Sequence, residues 1–238
     1  MEGIFDRTLI IMGEEAMDKL KHSHVAIFGV RGVGGYALEA IVRSGVGEIT
    51  IVDNDTVSTS NINRQIIATH SSLGKKKIDV AEKRIKEINP DCIVHKSDSF
   101  FLPGMEGLFN FPSFSYIVDA IDTVSGKIAL VETANKYSIP IVSSMGAGNK
   151  LDPTLFTITD IYKTNTDPLS RVMRRELKKR GVKKLSVVWS PEKPIESKVN
   201  LQGEKNRRPV PGSISFVPSV AGLVAASKVI RDLVGMKE

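Results

Sequence analysis

Cysteine is nearly absent from this sequence. Cys92 is the single one in 238 residues, which excludes an intramolecular disulfide and any zinc knuckle built on paired cysteines. Long apolar runs are missing too, since no stretch approaches the roughly 18 residues of a membrane span. The opening MEGIFDRTLI carries Glu2 and Asp6 and lacks the basic-then-apolar order of a secretory signal. The expectation is a cytoplasmic protein with no membrane partner. What is present, 41% hydrophobic and 25% charged residues, is the composition of a soluble globular chain long enough for a real core. The formal charge of +6 admits an anionic partner, nucleic acid or nucleotide, without requiring one.

The first half alternates β-rich runs with helical patterns. His24–Phe28 and Glu48–Val52 read as buried strands, Cys92–Val94 and Tyr116–Val118 as the third and fourth, and Pro140–Ser143 as the fifth. Between them, Gly32–Ser44, Lys75–Ile88 and Lys127–Tyr137 carry helical spacing, the second stopped by Asn89-Pro90. Such alternation means parallel strands with right-handed crossovers, hence a doubly wound, Rossmann-like α/β sheet. The second half reads differently. Leu155–Ile161, Leu185–Trp189 and Ser213–Val217 look like strands without crossover helices, so antiparallel additions to one sheet edge are expected. Arg171–Lys184 reads as a basic helix and turn, Pro191–Gly212 as a long loop, and Ala221–Val234 as a closing amphipathic helix. No internal repeat or linker divides the chain. One domain over 1–238 is expected, with a nucleotide-binding half at about 20–150 and a substrate-facing, dimer-forming half at about 151–238.

Gly29-Val30-Arg31-Gly32-Val33-Gly34 follows a strand and opens a helix. Glycines there let backbone approach a phosphate, and the helix start presents unpaired N–H groups. A tight turn with glycines for packing gives the same pattern. A dinucleotide fingerprint would carry glycine at position 31, where this chain has arginine. Asp53 ends the second strand at the distance suited to ribose hydroxyls, but a strand-end turn in Asp53-Asn54-Asp55 would use the same residue. Together the two features favour a nucleotide without separating ATP from a nicotinamide cofactor. The following segment separates them. Ser58-Thr59-Ser60-Asn61-Ile62-Asn63-Arg64-Gln65 places polar groups and a guanidinium just past the strand, suited to charge on a transferring phosphoryl group. Gly74-Lys75-Lys76-Lys77 adds a cation, and Asp122 lies at the fourth strand's carboxyl end, where a carboxylate can hold Mg²⁺ against a triphosphate.

With Asn61-x-x-Arg64-Gln65, the Gly74–Lys77 element and Asp119-Ala120-Ile121-Asp122 in this order, the first 150 residues resemble the ubiquitin-activating-enzyme-like adenylyltransferases, the ThiF/MoeB/HesA superfamily. The resemblance implies activation of a carboxylate by attack on the α-phosphate of MgATP, and it implies a homodimer. It assigns Gly29, Gly32 and Gly34 to the phosphate turn and Asp53 to the ribose. Asn61, Arg64 and Lys77 go to the phosphates, Asp122 to the magnesium, and Arg7 to the partner subunit's ATP site. Arg7, Arg64, Lys77 and Asp122 are thus the implied catalytic set. Further on, Ser143–Gly148, Leu151–Thr154, Asp160–Thr164, Asp167–Leu169 and Pro211–Pro218 resemble one branch. That branch uses ATP to cyclise the threonylcarbamoyl side chain of a modified adenosine beside the tRNA anticodon.

Cysteine poverty fits this branch. Sulfur-carrier activators of the superfamily usually bear zinc cysteines or an acyl-accepting thiol, whereas Cys92 opens a core strand and reads as buried. Intramolecular cyclisation needs no enzyme thiol. The alternatives are an adenylyltransferase for a ubiquitin-like sulfur carrier, a nicotinamide-dependent oxidoreductase and a noncatalytic nucleotide module. A sulfur-transfer protein is a further candidate partner. For tRNA, Arg171, Arg174, Arg175, Lys178 and Lys179 are the expected contacts, the first four sharing a helix face. Lys193, Lys198, Lys205, Arg207 and Arg208 form a candidate second arm.

Overall fold

The run His24–Phe28 is buried throughout and forms β1, as a strand covered on both faces requires. The computed structural model describes residues 3–196, 199 and 211–236. In chain order the strands are β1, β2 (Glu48–Val52), β3 (Ile93–Ser97), β4 (Tyr116–Asp119), β5 (Ile141–Ser144), β6 (Thr157–Asp160) and β7 (Ser186–Trp189). The helices are α1 (Asp6–Met12), α2 (Glu14–Lys21), α3 (Gly32–Arg43), α4 (Lys77–Ile88), α5 (Val124–Lys136), α6 (Pro168–Lys179) and α7 (Phe216–Leu233). One seven-stranded sheet has the order β3-β2-β1-β4-β5-β7-β6. The connection reverses direction at β1, between β2 and β4, and ligands of such sheets bind at the carboxyl ends beside that point.

Helices cover both faces. On one, Ala37 and Ile41 of α3, Ile78 and Ile85 of α4, and Ala221, Ala225 and Val229 of α7 pack against Val25, Ile27, Ile49 and Ile51. On the other, Leu130 and Ala134 of α5 and Met173 and Leu177 of α6 join Phe28, Phe101, Phe111 and Phe114. Asp167 starts α6, its carboxylate accepting the Ser170 N–H at 2.7 Å, which satisfies one of the donors a helix start leaves open.

Two expectations are corrected. Ser213–Val217 is not a strand, because Phe216 already begins α7. The alternation Ser213-Ile214-Ser215-Phe216 mimics a strand. Pro218, however, is tolerated in a first helical turn, and Val217, Ala221, Ala225 and Val229 repeat at helical spacing along a buried face. The edge beyond β5 is also mixed: β7 joins β5 in parallel, and the antiparallel addition is β6 against β7. Residues 197–198 and 200–210 of the expected long loop lie outside the described residues.

The α3–α7 contact is unusually close because Gly222 carries no side chain. A Cβ there would lie 2.9 Å from both the Ala37 nitrogen and Tyr36 Cβ. Since α3 also carries the glycine-rich turn, Gly222→Val should separate the helices and lower unfolding free energy by about 1–3 kcal/mol. Urea denaturation measures this, and an unchanged midpoint would show that α7 shifts freely.

Candidate active site

The turn after β1 closes on the end of β2. Gly29 has φ of +92°, and a Cβ there would lie 2.7 Å from the Ala120 carbonyl oxygen, so only glycine fits. The buried Asp53 carboxylate accepts the Val30 N–H at 2.7 Å and the Asp55 N–H at 2.9 Å. Gly32 and Gly34 serve packing. A Cβ at Gly32 would press on Pro218 Cβ at 3.1 Å, and one at Gly34 would run into the Gly29 carbonyl.

Charge is concentrated just outside this turn. The Lys77 ammonium, 2% exposed, lies 2.8 Å from Asp55 Oδ2. Arg31 reaches the same oxygen at 3.0 Å and also pairs with Asp122. Burial opposes ionisation of Asp55, but hydrogen bonding from Lys77 and the charges of Arg31 and Lys77 outweigh it and hold the carboxyl below its ordinary range. The crevice lined by Gly29, Arg31, Asp53, Asn54, Phe100 and Asp122 keeps only about 20 Å³ of free volume. Asn61 is buried and accepts the Ser58 N–H at 3.1 Å. Arg64 donates to the Ser60 carbonyl at 2.6 Å and to Asn63 Oδ1 at 2.8 Å. Burial and the neighbouring Arg31 charge lower its pKa. Among the described residues, Gln65 Oε1 and Thr123 Oγ1 are buried without a hydrogen-bond partner. Both belong to segments of this site, the first to the Asn61–Gln65 loop and the second directly following Asp122.

The fold thus brings Gly29, Asp53, Lys77 and Asp122 together through Asp53, Asp55 and Arg31, and sets the Asn61–Arg64 loop beside them. Arg7 is not brought there. It is exposed on α1, and the neighbouring Phe5 lies against Gly45, ahead of the amino end of β2. The α6 cations are partly engaged. Arg174 donates to Thr164 Oγ1. Arg175, Lys179 and Arg180 converge on Glu176 at 3.0–3.1 Å, and their hydrogen bonds lower its carboxyl to about 2. Arg171 and Lys178 are exposed. In the candidate arm, Lys193 is exposed, and Lys198, Lys205, Arg207 and Arg208 lie outside the described residues.

Sequence reasoning missed three participants. Arg31 stood out only as a departure from glycine, and Asp55 only as a turn residue beside Asp53. The third is the buried pair Lys127–Asp119 at 3.1 Å. Lys127 also donates to Ser143 Oγ at 3.2 Å and the Ser144 carbonyl at 2.8 Å. Asp119 Oδ1 accepts the Ile121 N–H at 3.2 Å, so this pair shapes the turn that carries Asp122. In the sequence Asp119 stood out only as the start of the element ending in Asp122, and Lys127 only as the first residue of a helical pattern.

With this geometry in hand, comparison with known proteins is decisive: the ThiF family matches residues 5–238. The chain belongs to that family. It is 42% identical to the tRNA threonylcarbamoyladenosine dehydratase of Bacillus subtilis, over 96% of this chain and 94% of the relative. Its structure resembles that of the E. coli tRNA N6-threonylcarbamoyladenosine dehydratase in complex with ATP, with a TM-score of 0.89 at 34% identity. That likeness covers 97% of this chain and 93% of the other. An adenylyltransferase and sulfurtransferase of Saccharomyces cerevisiae is 31% identical over 60% of this chain and 32% of its own.

Cys92 is buried, and burial pushes its thiol up to about 11. At pH 8 a thiol of that kind is protonated and a poor nucleophile. Cys92 should therefore resist an aromatic disulfide reagent in the native protein and react stoichiometrically once unfolded in urea. Rapid native labelling, followed by absorbance, would return the thiol to the list of reactive groups.

Proposed function

We propose that this chain is an ATP-dependent enzyme that dehydrates N6-threonylcarbamoyladenosine beside the tRNA anticodon. The observation carrying this reading is that likeness to tRNA threonylcarbamoyladenosine dehydratases runs the full length, at 42% identity, through both halves. The threonyl carboxylate attacks the α-phosphorus of ATP, the bond to pyrophosphate breaks, and an acyl-adenylate forms. An atom of the neighbouring carbamoyl group then attacks the acyl carbon, AMP leaves with its bonding pair, and one proton is released. The net change is loss of one water from the nucleoside. Holding both reacting groups on one substrate gives effective molarities on the order of 10⁵ M or more, which removes any need for an enzyme thiol.

Each side chain has a task. Asp53 fixes the phosphate turn and meets the ribose. Lys77 and Arg31, both drawn to Asp55, stand ready for phosphate oxygens, and Arg64 meets charge developing at the α-phosphate. Asn61 orders the loop bearing Arg64. The partnerless Gln65 and Thr123 oxygens and the 57% exposed Asp122 carboxylate fit a site that takes a hydrated hard cation with its nucleotide. Asp122 would hold Mg²⁺, which neutralises charge on the leaving pyrophosphate. A homodimer fits the placement of Arg7: α1 leaves Ile10 and Ile11 79% and 82% exposed beside it, an apolar face suited to a second copy. A cytoplasmic location fits action on tRNA. The competing sulfur-carrier reading, with its sulfur-transfer partner, rests on the superfamily resemblance and gains nothing from a buried Cys92.

Incubation with ATP, Mg²⁺ and tRNA bearing threonylcarbamoyladenosine, followed by nucleoside mass spectrometry, should show loss of one water and equimolar AMP. Asp122→Asn should keep the fold and lose about 100-fold in rate, as expected for several kcal/mol of transition-state stabilisation. An unmodified nucleoside with wild-type protein would overturn the assignment, and a fully active Asp122→Asn would remove its metal role.

Arg7→Ala and Arg64→Ala should each be nearly inactive. Mixed and allowed to exchange subunits, they should regain part of the activity, because a heterodimer holds one site with both arginines. Absence of rescue after demonstrated exchange would refute a shared site.

Replacing Arg174, Arg175, Lys178 and Lys179 with Gln should weaken tRNA binding and flatten its salt dependence, leaving ATP binding intact. Each lost phosphate contact lowers the log–log slope by about 0.7 to 0.9. An unchanged Kd and slope would show α6 to be a solvated face.

A further inference from the structure

A second cluster of chemistry-bearing side chains lies at the amino end of the sheet, opposite the nucleotide crevice. His24 opens β1, Glu48 opens β2, and His95 is the third residue of β3. His24 and Glu48 are register partners, and His95 is paired with Thr50, two residues beyond Glu48. Residues two apart share a sheet face, so three adjacent parallel strands bring His24, Glu48, Thr50 and His95 to the same side. His95 Nε2 lies 2.7 Å from Glu48 Oε1, and His24 Nδ1 lies 3.4 Å from the same oxygen. One ligand atom from each of the three residues falls within 4.8 Å of the others.

The surroundings favour a cation over a simple charge cluster. His24 is 7% exposed, and its Nε2 lies 2.8 Å from Thr50 Oγ1. When Nε2 carries the proton and donates it to Thr50, the Nδ1 lone pair faces Glu48 Oε1 and Ser113 Oγ, each at 3.4 Å, and the rotatable Ser113 hydroxyl can yield to an ion. A metal-binding imidazole is oriented in this way, one nitrogen donating to a fixed partner and the other free to ligate. The lysine of the same strand is turned away: Lys96 projects to the opposite face and pairs with Asp79 and Glu82 at 2.8 and 2.6 Å. A cavity of about 390 Å³, walled by Phe109, Ser113 and Phe114, stands over the cluster and leaves room for water.

We propose that His24, Glu48 and His95 form a binding site for a zinc-class divalent cation, with water completing the coordination. Two imidazoles and one carboxylate with an open position are a zinc ligand set. Imidazole also discriminates against Mg²⁺ and Ca²⁺, which prefer oxygen, so this site is chemically distinct from the Asp122 end of the molecule. A bound cation would tie β1, β2 and β3 together at their amino ends.

Full-length protein stripped with a chelator and titrated with Zn²⁺ in excess Mg²⁺ tests the proposal. The expected result is one saturable equivalent of micromolar or tighter affinity, with a rise in Tm. His95→Ala and Glu48→Gln, both at solvent-accessible positions, should each weaken binding by about tenfold or more while leaving the metal-free Tm unchanged. Co²⁺ substitution gives a second readout: visible bands of nitrogen ligation in the wild type, reduced in His95→Ala. Absence of saturable wild-type binding would overturn the proposal. So would Zn²⁺ or Co²⁺ binding unaffected by either variant, since the ion would then sit elsewhere, for example on His22 or His70.

Discussion

The Asp53 carboxylate accepts the Val30 N–H with one oxygen and the Asp55 N–H with the other, and these two bonds set the nucleotide crevice. The first locks the turn after β1 against the end of β2. The second bends the chain after β2 so that the Asp55 side chain faces that turn. The Gly29 N–H adds a bond to the Val52 carbonyl at 2.8 Å, so the left-handed turn is held on both sides and the start of α3 is aimed at the crevice. The close α3–α7 packing supports the same turn from behind, through Pro218 against Gly32.

Asp55 does for charge what Asp53 does for backbone. Lys77 is buried at the start of α4, and a buried ammonium without a counter-charge is strongly unfavourable. Asp55 supplies that counter-charge and holds Arg31 at the same time. The loop between β2 and α4 is long and lacks regular strands, yet its ends are fixed by the Lys77–Asp55 pair and by the Thr56–Lys76 bridge. Asn61 and Arg64 therefore sit in a loop tethered at both sides. The Lys127–Asp119 pair plays a parallel role on β4, across β1 from β2, and its burial ties the base of the turn leading to Asp122 to the core.

Much of this was readable in the residues. β1 and β2 begin and end where their apolar runs do, and the order of strands and helices through β5 followed from alternating periodicities. The residues of the crevice stood at the carboxyl ends that a doubly wound sheet reserves for ligands. What escaped was set by tertiary contact. Ser213–Val217 alternates like a strand, but its last two residues, Phe216 and Val217, already belong to α7, whose packing on α3 no local signal announces. Asp55 and Lys127 have ordinary sequence surroundings; only tertiary packing sets the half-buried Asp55 against the buried Lys77 and buries Lys127 against Asp119. The α6 cations looked one-sided in the sequence because Glu176 is a single acid, yet it gathers three of the cations around it.

The pairing of Arg31 with Asp122 has a thermodynamic corollary. A carboxylate already neutralised by a guanidinium attracts a divalent cation less than an unpaired one, and a guanidinium already neutralised attracts a triphosphate less. Occupation of either partner releases the other. If Asp122 holds the cation as proposed, the ion would free Arg31 for phosphate, and phosphate on Arg31 would free Asp122 for the cation. By linkage the two ligands must then favour each other to the same degree. A single arginine in place of glycine makes the resting crevice self-screened, and on the proposed roles metal-free nucleotide and nucleotide-free metal would each meet a weaker site than the two meet together.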